Sequence, residues 1–152
     1  GALAAAELAV PATLDAFRRW LDRHHSYVFT INGFPYGSFH GTRVKEQVYA
    51  PDWACPERLA YTTHLFDLLV ALLPPGVPGS VSTVPISFKG FETGGEHRAR
   101  VHANLSACGR HVERLCERHG VDLTLGLEPE PLCLLETTDE TVAFFDTWAN
   151  AD

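Results

Sequence analysis

The sequence predicts an α/β fold built from parallel βαβ units, and three observations carry that prediction. Short β-branched and aromatic stretches alternate with longer amphipathic ones. The longer stretches carry apolar residues at helical spacing. Pro or Gly stands at most of the changeovers, where helices and strands start and stop. The 152 residues contain no linker or low-complexity stretch and read as a single segment.

The opening Gly1–Val10 is rich in Ala and Leu. Glu7 interrupts it and no basic region precedes it, so it does not read as a signal peptide. A helix is expected from Pro11, with Leu14, Phe17 and Leu21 on one stripe and Arg18, Arg19, Arg23 and His24 toward its C-terminal end, where cations suit the dipole. Tyr27-Val28-Phe29-Thr30-Ile31-Asn32 follows, with the look of a strand buried on both faces, and Gly33 ends it. Pro56 suits a first helical position, and Leu59, Phe66, Leu69 and Leu73 keep the period until Pro74-Pro75-Gly76 stops it. Ser80–Val84 is a second short strand, closed by Pro85. A third helix covers roughly Glu96 to His119, with Val101, Leu105, Cys108, Val112, Leu115 and Cys116 on its apolar stripe and Gly120 just beyond its end. Leu123–Glu128 is a third strand, ended by Pro129. Thr137 with Glu140 three residues on is a capping-box pattern for a last helix, whose apolar face is Val142, Phe145 and Trp148. About three parallel strands and four helices are expected.

Lys plus Arg is 12 against 19 Asp plus Glu, a formal charge of −7. With no basic stripe, such a chain is a poor nucleic-acid binder. Cys55, Cys108, Cys116 and Cys133 show no zinc-ligand spacing, and the apolar content is enough to fold without disulfides. Reduced thiols and a cytoplasmic location are expected. No apolar run reaches the ~18–20 residues of a membrane span. There is no GxSxG, P-loop or GxGxxG, so neither a nucleophile elbow nor nucleotide-dependent chemistry is indicated.

In parallel α/β folds ligands gather beyond the carboxyl ends of the strands, which selects three places. The long connection Gly33–Cys55 interleaves aromatics with Gly, one His and two cations, and Phe34, Tyr36, His40, Lys45 and Trp53 are its candidates for a polar organic ligand. The plain alternative is aromatics that only pack. The second place holds Ser87 and Lys89, where a solvated Lys competes with a ligand contact. The third is Glu128, which ends an apolar strand before Pro129-Glu130-Pro131, with Glu136 a few residues on. A carboxylate buried there calls for a cation or donors, and a divalent metal is an economical one. The competing readings are a helix cap, an Arg salt bridge, or a Glu128–Glu130 acid/base pair of the glycosidase kind.

Two groups of residues carry a family resemblance. One is Tyr27–Gly37, with Phe39-His40-Gly41, Val44-Lys45-Glu46, Tyr49 and Pro51-Asp52-Trp53. The other is Ser82-Thr83-Val84-Pro85, Leu127-Glu128-Pro129-Glu130-Pro131 and Leu135-Glu136-Thr137-Thr138. From about Pro11 to Trp148 the chain resembles the EboE family of metabolite traffic proteins, within the xylose isomerase-like (sugar phosphate isomerase/epimerase) superfamily. The long-loop motif is specific to the family, whereas Leu-Glu-Pro is shared across the superfamily.

The resemblance implies part of a (β/α)8 TIM barrel and a divalent ion, manganese, magnesium or zinc, with Glu128 as a ligand. It maps Glu136 loosely onto a substrate-contacting position, and an isomerase reading would use Glu136 or Lys45 for proton transfer. It also implies a small sugar-like or secondary-metabolite precursor and a membrane partner of the same pathway. A non-catalytic binding or trafficking component is the competing function. A closed eight-stranded barrel takes about 250 residues and at least ~200. With no Met in the chain and Gly1 at its start, an interior part of a longer chain is expected.

Overall fold

A computed structural model describes residues 1–34, 36–37, 47–91 and 94–149. In chain order the elements are α1 (Ala2–Leu8), α2 (Pro11–Arg23), β1 (Thr30–Asn32), a 3-10 turn (Gln47–Tyr49), α3 (Pro56–Leu72), β2 (Gly79–Thr83), α4 (Gly95–His119), β3 (Leu123–Leu127) and α5 (Thr138–Ala149). The three strands form one parallel sheet in the order β1-β2-β3. Residues Thr30, Ser80 and Thr124 stand side by side, as do Ile31, Val81 and Leu125, and Asn32, Ser82 and Gly126. The protein is therefore α/β with a parallel sheet.

Two differences from expectation have plain causes. The Ala-rich opening is a fifth α-helix among the described residues, as its strong helix formers allow. It docks on α3, burying Ala5, whose carbonyl lies 3.0 Å from Nε2 of His64. β1 is three residues long and is not buried on both faces. It lies at an edge of the sheet, and its pairing with β2 begins only at Thr30–Ser80. Tyr27 and Phe29, ahead of that point, are 56% and 53% exposed.

The later elements follow their punctuation. Pro56 opens α3, and Gly120 closes α4 in the left-handed conformation at φ 62°. Thr137 and Glu140 form the capping box: the Glu140 amide donates to Thr137 Oγ1 at 3.3 Å, and Glu140 Oε2 accepts from the Thr137 amide at 2.9 Å.

α3 is the centre of the core, burying Tyr61, Leu65, Phe66, Leu68, Leu69 and Leu72 among others, because it meets the sheet, α1 and α4 at once. A Cβ at Gly33 would lie 2.7 Å from the Leu65 side chain and 2.8 Å from the Ser82 carbonyl oxygen, so only glycine lets α3 settle this close. α3 and α4, which connect successive strands, pack on each other and so cover one face of the sheet. That face carries Ile31, Val81, Thr83, Leu123, Leu125 and Leu127. The alternate residues, Thr30, Asn32, Ser80, Ser82 and Thr124, point the other way and are exposed or half-buried. No helix among the described residues is long and apolar enough to cross a membrane.

Candidate functional site

The carboxyl ends of all three strands open onto one rim, and backbone bonds tie the rim together. The Trp53 amide donates to the Ile86 carbonyl at 3.0 Å, Leu134 to Ser87 at 2.8 Å, and Lys89 to Leu132 at 2.8 Å. Tyr49 reaches across from the first connection to the third, its hydroxyl donating to the Pro131 carbonyl at 3.1 Å while its ring stacks on Phe88. Ile86 (φ 74°) and Leu132 (φ 68°) both hold a positive φ, which L-residues, and β-branched Ile above all, rarely adopt. Local strain therefore sits where the connections after β2 and β3 are stapled.

Four polar groupings lie on this rim. The first is an amide–carboxylate pair on the open sheet face. Asn32 accepts from the Phe34 amide at 2.9 Å through Oδ1, which fixes the side chain so that Nδ2 donates to Glu128 Oε1 at 3.4 Å, across β2. Glu128 is half-buried and Asn32 is its side-chain partner among the described residues.

The second is a buried knot around Asp52, which is 5% exposed. Its Oδ2 accepts from Ser87 Oγ at 2.5 Å and lies 2.8 Å from His97 Nε2, while Oδ1 accepts from the Ala54 amide at 3.0 Å and Cys55 Sγ at 3.4 Å. Burial alone would push the Asp52 carboxyl up, but the hydrogen bonds from Ser87, His97 and Cys55 outweigh it and hold it below the usual carboxylate range. Burial and the neighbouring carboxylate push the Cys55 thiol up, so this cysteine is not an activated nucleophile.

The third is Arg58, fully buried and without a carboxylate partner among the described residues. Nε donates to the Pro51 carbonyl at 2.7 Å, Nη1 to Gly33 at 2.8 Å and Nη2 to Phe34 at 3.2 Å. Its guanidinium also lies 5.8–5.9 Å from the ring centroids of Tyr61 and Tyr36. Burial lowers its pKa to about 10. Arg58 thus clasps both ends of the long connection after β1. The fourth grouping is exposed: Lys89 Nζ contacts Glu136 Oε2 at 2.5 Å and Glu140 Oε1 at 2.7 Å. The ammonium lowers both carboxyls, Glu140 to about 2, and is itself raised by them, Glu136 first.

The residues expected from the sequence are distributed as follows. Lys89 and Glu136 come together as an ion pair. Phe34 is buried against Tyr49, and Tyr36 packs edge-on against Tyr61. Trp53 is fully buried in the core, with its carbonyl held by Asn104. His40 and Lys45 lie outside the described residues. Among the described residues no group of three or more His, Cys, Asp and Glu side chains is arranged to hold a metal ion, so they do not by themselves complete a donor set around Glu128.

No family model, curated protein or solved structure matches the chain.

Sequence reasoning missed the Asp52–Ser87–His97 knot and Arg58. Ser87 and His97 stand 35 and 45 residues from Asp52 along the chain, and no local pattern joins them. The available signal was positional. Asp52 and His97 each stand close to the start of a helix that follows a strand, where the strand-end rule directs attention.

Proposed function

We propose that the chain forms βα units of a xylose isomerase-like barrel of the EboE type, and that its polar sheet face binds a small polyhydroxylated metabolite. The observation that carries this reading is the make-up of the face away from α3 and α4. Thr30, Asn32, Ser80, Ser82 and Thr124 lie there, with Glu128 at the carboxyl end. Sequential parallel order with connecting helices on one side is the arrangement of barrel strands, whose other face turns inward. Hydroxyls, an amide and a carboxylate together offer donors and acceptors to successive hydroxyl groups of a polyol. Glu128 accepts from a ligand hydroxyl in this reading, with Asn32 holding the carboxylate in place.

A divalent ion belongs to the same proposal, with Glu128 as its donor among the described residues. It would supply charge to polarise a ligand oxygen. A cytoplasmic location fits the four free cysteines. Titration of the protein with D-xylose and ribitol, followed by calorimetry, is expected to saturate and to lose most of its signal in Glu128→Gln. Unchanged binding in that variant sinks the reading. Manganese titration of the same two proteins tests the ion separately.

One observation favours a second reading, binding without turnover in a metabolite-trafficking role alongside a membrane partner. Glu136, a group suited to proton transfer, is held in an ion pair by Lys89. An isomerase would convert D-xylose to D-xylulose, with deuterium entering from D2O where the step is a proton transfer, whereas a binding component would return D-xylose unchanged and undeuterated. Proton NMR of D-xylose incubated with the protein separates the two.

A further inference from the structure

A cavity of about 520 Å³ lies outside the sheet, between α4, α5 and the connections after β2 and β3. This size falls within the ~300–1,000 Å³ range of small-molecule sites. Val101, Leu134, Leu135, Phe144 and Trp148 make most of its wall apolar. Its roof, α5, contains no buried residue among those described.

His97 and His102 also line this cavity, and each has a buried ring nitrogen without a partner among the described residues: Nδ1 of His97 and Nε2 of His102. His97 is 7% exposed. Its other nitrogen, Nε2, faces the Asp52 carboxylate at 2.8 Å. An ionised carboxylate accepts only, so Nε2 is the nitrogen that donates to Asp52, and in that tautomer Nδ1 presents a lone pair. Buried polar atoms in folded proteins are rarely left unpaired, so these two nitrogens on a largely apolar wall require explanation. The His102 ring lies 4.2 Å from that of Trp148, which gives the same wall an aromatic surface.

We propose that this cavity binds an aromatic hydroxy compound, its ring held between the apolar walls and Trp148 and its hydroxyl donating to His97 Nδ1. The site is distinct from the polar sheet face, and either can fail without the other. Asp52 acts here as a positioning residue, because it fixes which His97 nitrogen accepts. The aromatic body accounts for the apolar wall, and the hydroxyl accounts for the unpaired nitrogen of His97.

The test uses 2-naphthol and 2-methoxynaphthalene, which share a ring system but differ in the donor. Titration of the whole protein is expected to show saturable binding of 2-naphthol and about tenfold weaker binding of the ether, the scale of one hydrogen bond to a buried group. His97→Leu removes the ring acceptor and offers no replacement, so in the folded variant it should erase the preference for the naphthol while the ether binds as in the parent. Val101→Phe leaves His97 intact and fills part of the space, so it should abolish binding of both compounds while D-xylose binding is unchanged. Equal affinity for naphthol and ether, no saturable binding of either, or full binding in folded Val101→Phe overturns the proposal.

Discussion

Two polar clusters lie on the same rim and share a vocabulary of carboxylates and cationic or donor side chains, yet they differ in almost every physical respect. Around Asp52 the carboxylate is buried and receives four donors from three stretches of chain. Around Lys89 the ammonium and both carboxylates stand at the surface. Burial, not the number of charges, decides what such a cluster is worth. Water competes for every bond in the exposed cluster and has little access to those in the buried one. The Asp52 knot fastens the connections after β1 and β2 together. The Lys89 cluster mainly sets the approach to α5.

The largest effect is therefore expected from Asp52→Ala. Removing this acceptor leaves Ser87, His97 and the Ala54 amide unpaired in the interior, at a cost of about 3–5 kcal/mol in urea unfolding. A loss below about 1 kcal/mol would show that the knot is not holding the rim. The same group predicts the pH dependence. The folded Asp52 pKa lies below its unfolded value of about 3.9. Its stabilisation is therefore complete above that value and is lost as pH falls through the folded-state pKa. Unfolding free energy measured from about pH 6 down to about pH 2 should fall less steeply in Asp52→Asn than in the parent.

Arg58 extends the comparison to a buried cation. Met at this position keeps much of the side-chain volume but abandons three backbone carbonyls, and roughly 2–3 kcal/mol should be lost. Those carbonyls belong to Gly33, Phe34 and Pro51, so proteolysis within 35–50 should accelerate in Arg58→Met. Unchanged cleavage would mean that the clasp does not control that connection.

The contrast between the clusters also explains which features could be read from the chain alone. The boundaries of α3, α4 and β3 were legible because Pro56, Gly120 and Pro129 are local punctuation and the α4 stripe of Val101, Leu105, Cys108 and Leu115 is periodic. The capping box at Thr137 was legible for the same reason. β1 was over-read, because Tyr27 and Phe29 look like core until the strand order puts them at an edge. The knot and Arg58 depend on contacts across 24 to 45 residues, which no spacing rule encodes. Arg58, two residues after Pro56, is sequentially indistinguishable from a solvated helix-start cation.

The smallest effects belong to the exposed cluster, and they divide within it. Lys89→Met should leave the thermal midpoint unchanged within error at moderate salt, because neither ion pair is shielded from water. Glu140 also caps α5, since its Oε2 accepts from the Glu136 and Thr137 amides, both at 2.9 Å, while Oε1 faces Lys89. Glu140→Gln keeps an acceptor for the cap and gives up the charge, whereas Glu140→Ala gives up both. Hydrogen exchange at the Glu136 and Thr137 amides should thus be nearly unchanged in Lys89→Met, modestly faster in Glu140→Gln and fastest in Glu140→Ala. With the Glu140 carboxyl held at about 2, the parent should keep that protection as pH falls through about 4 and lose it only toward 2, the sign expected for a depressed acid. If Lys89→Met exposes these amides as strongly as Glu140→Ala does, the ammonium rather than the capping carboxylate organises the start of α5. In that case the exposed cluster is a structural element like the buried one, and burial is not what separates them.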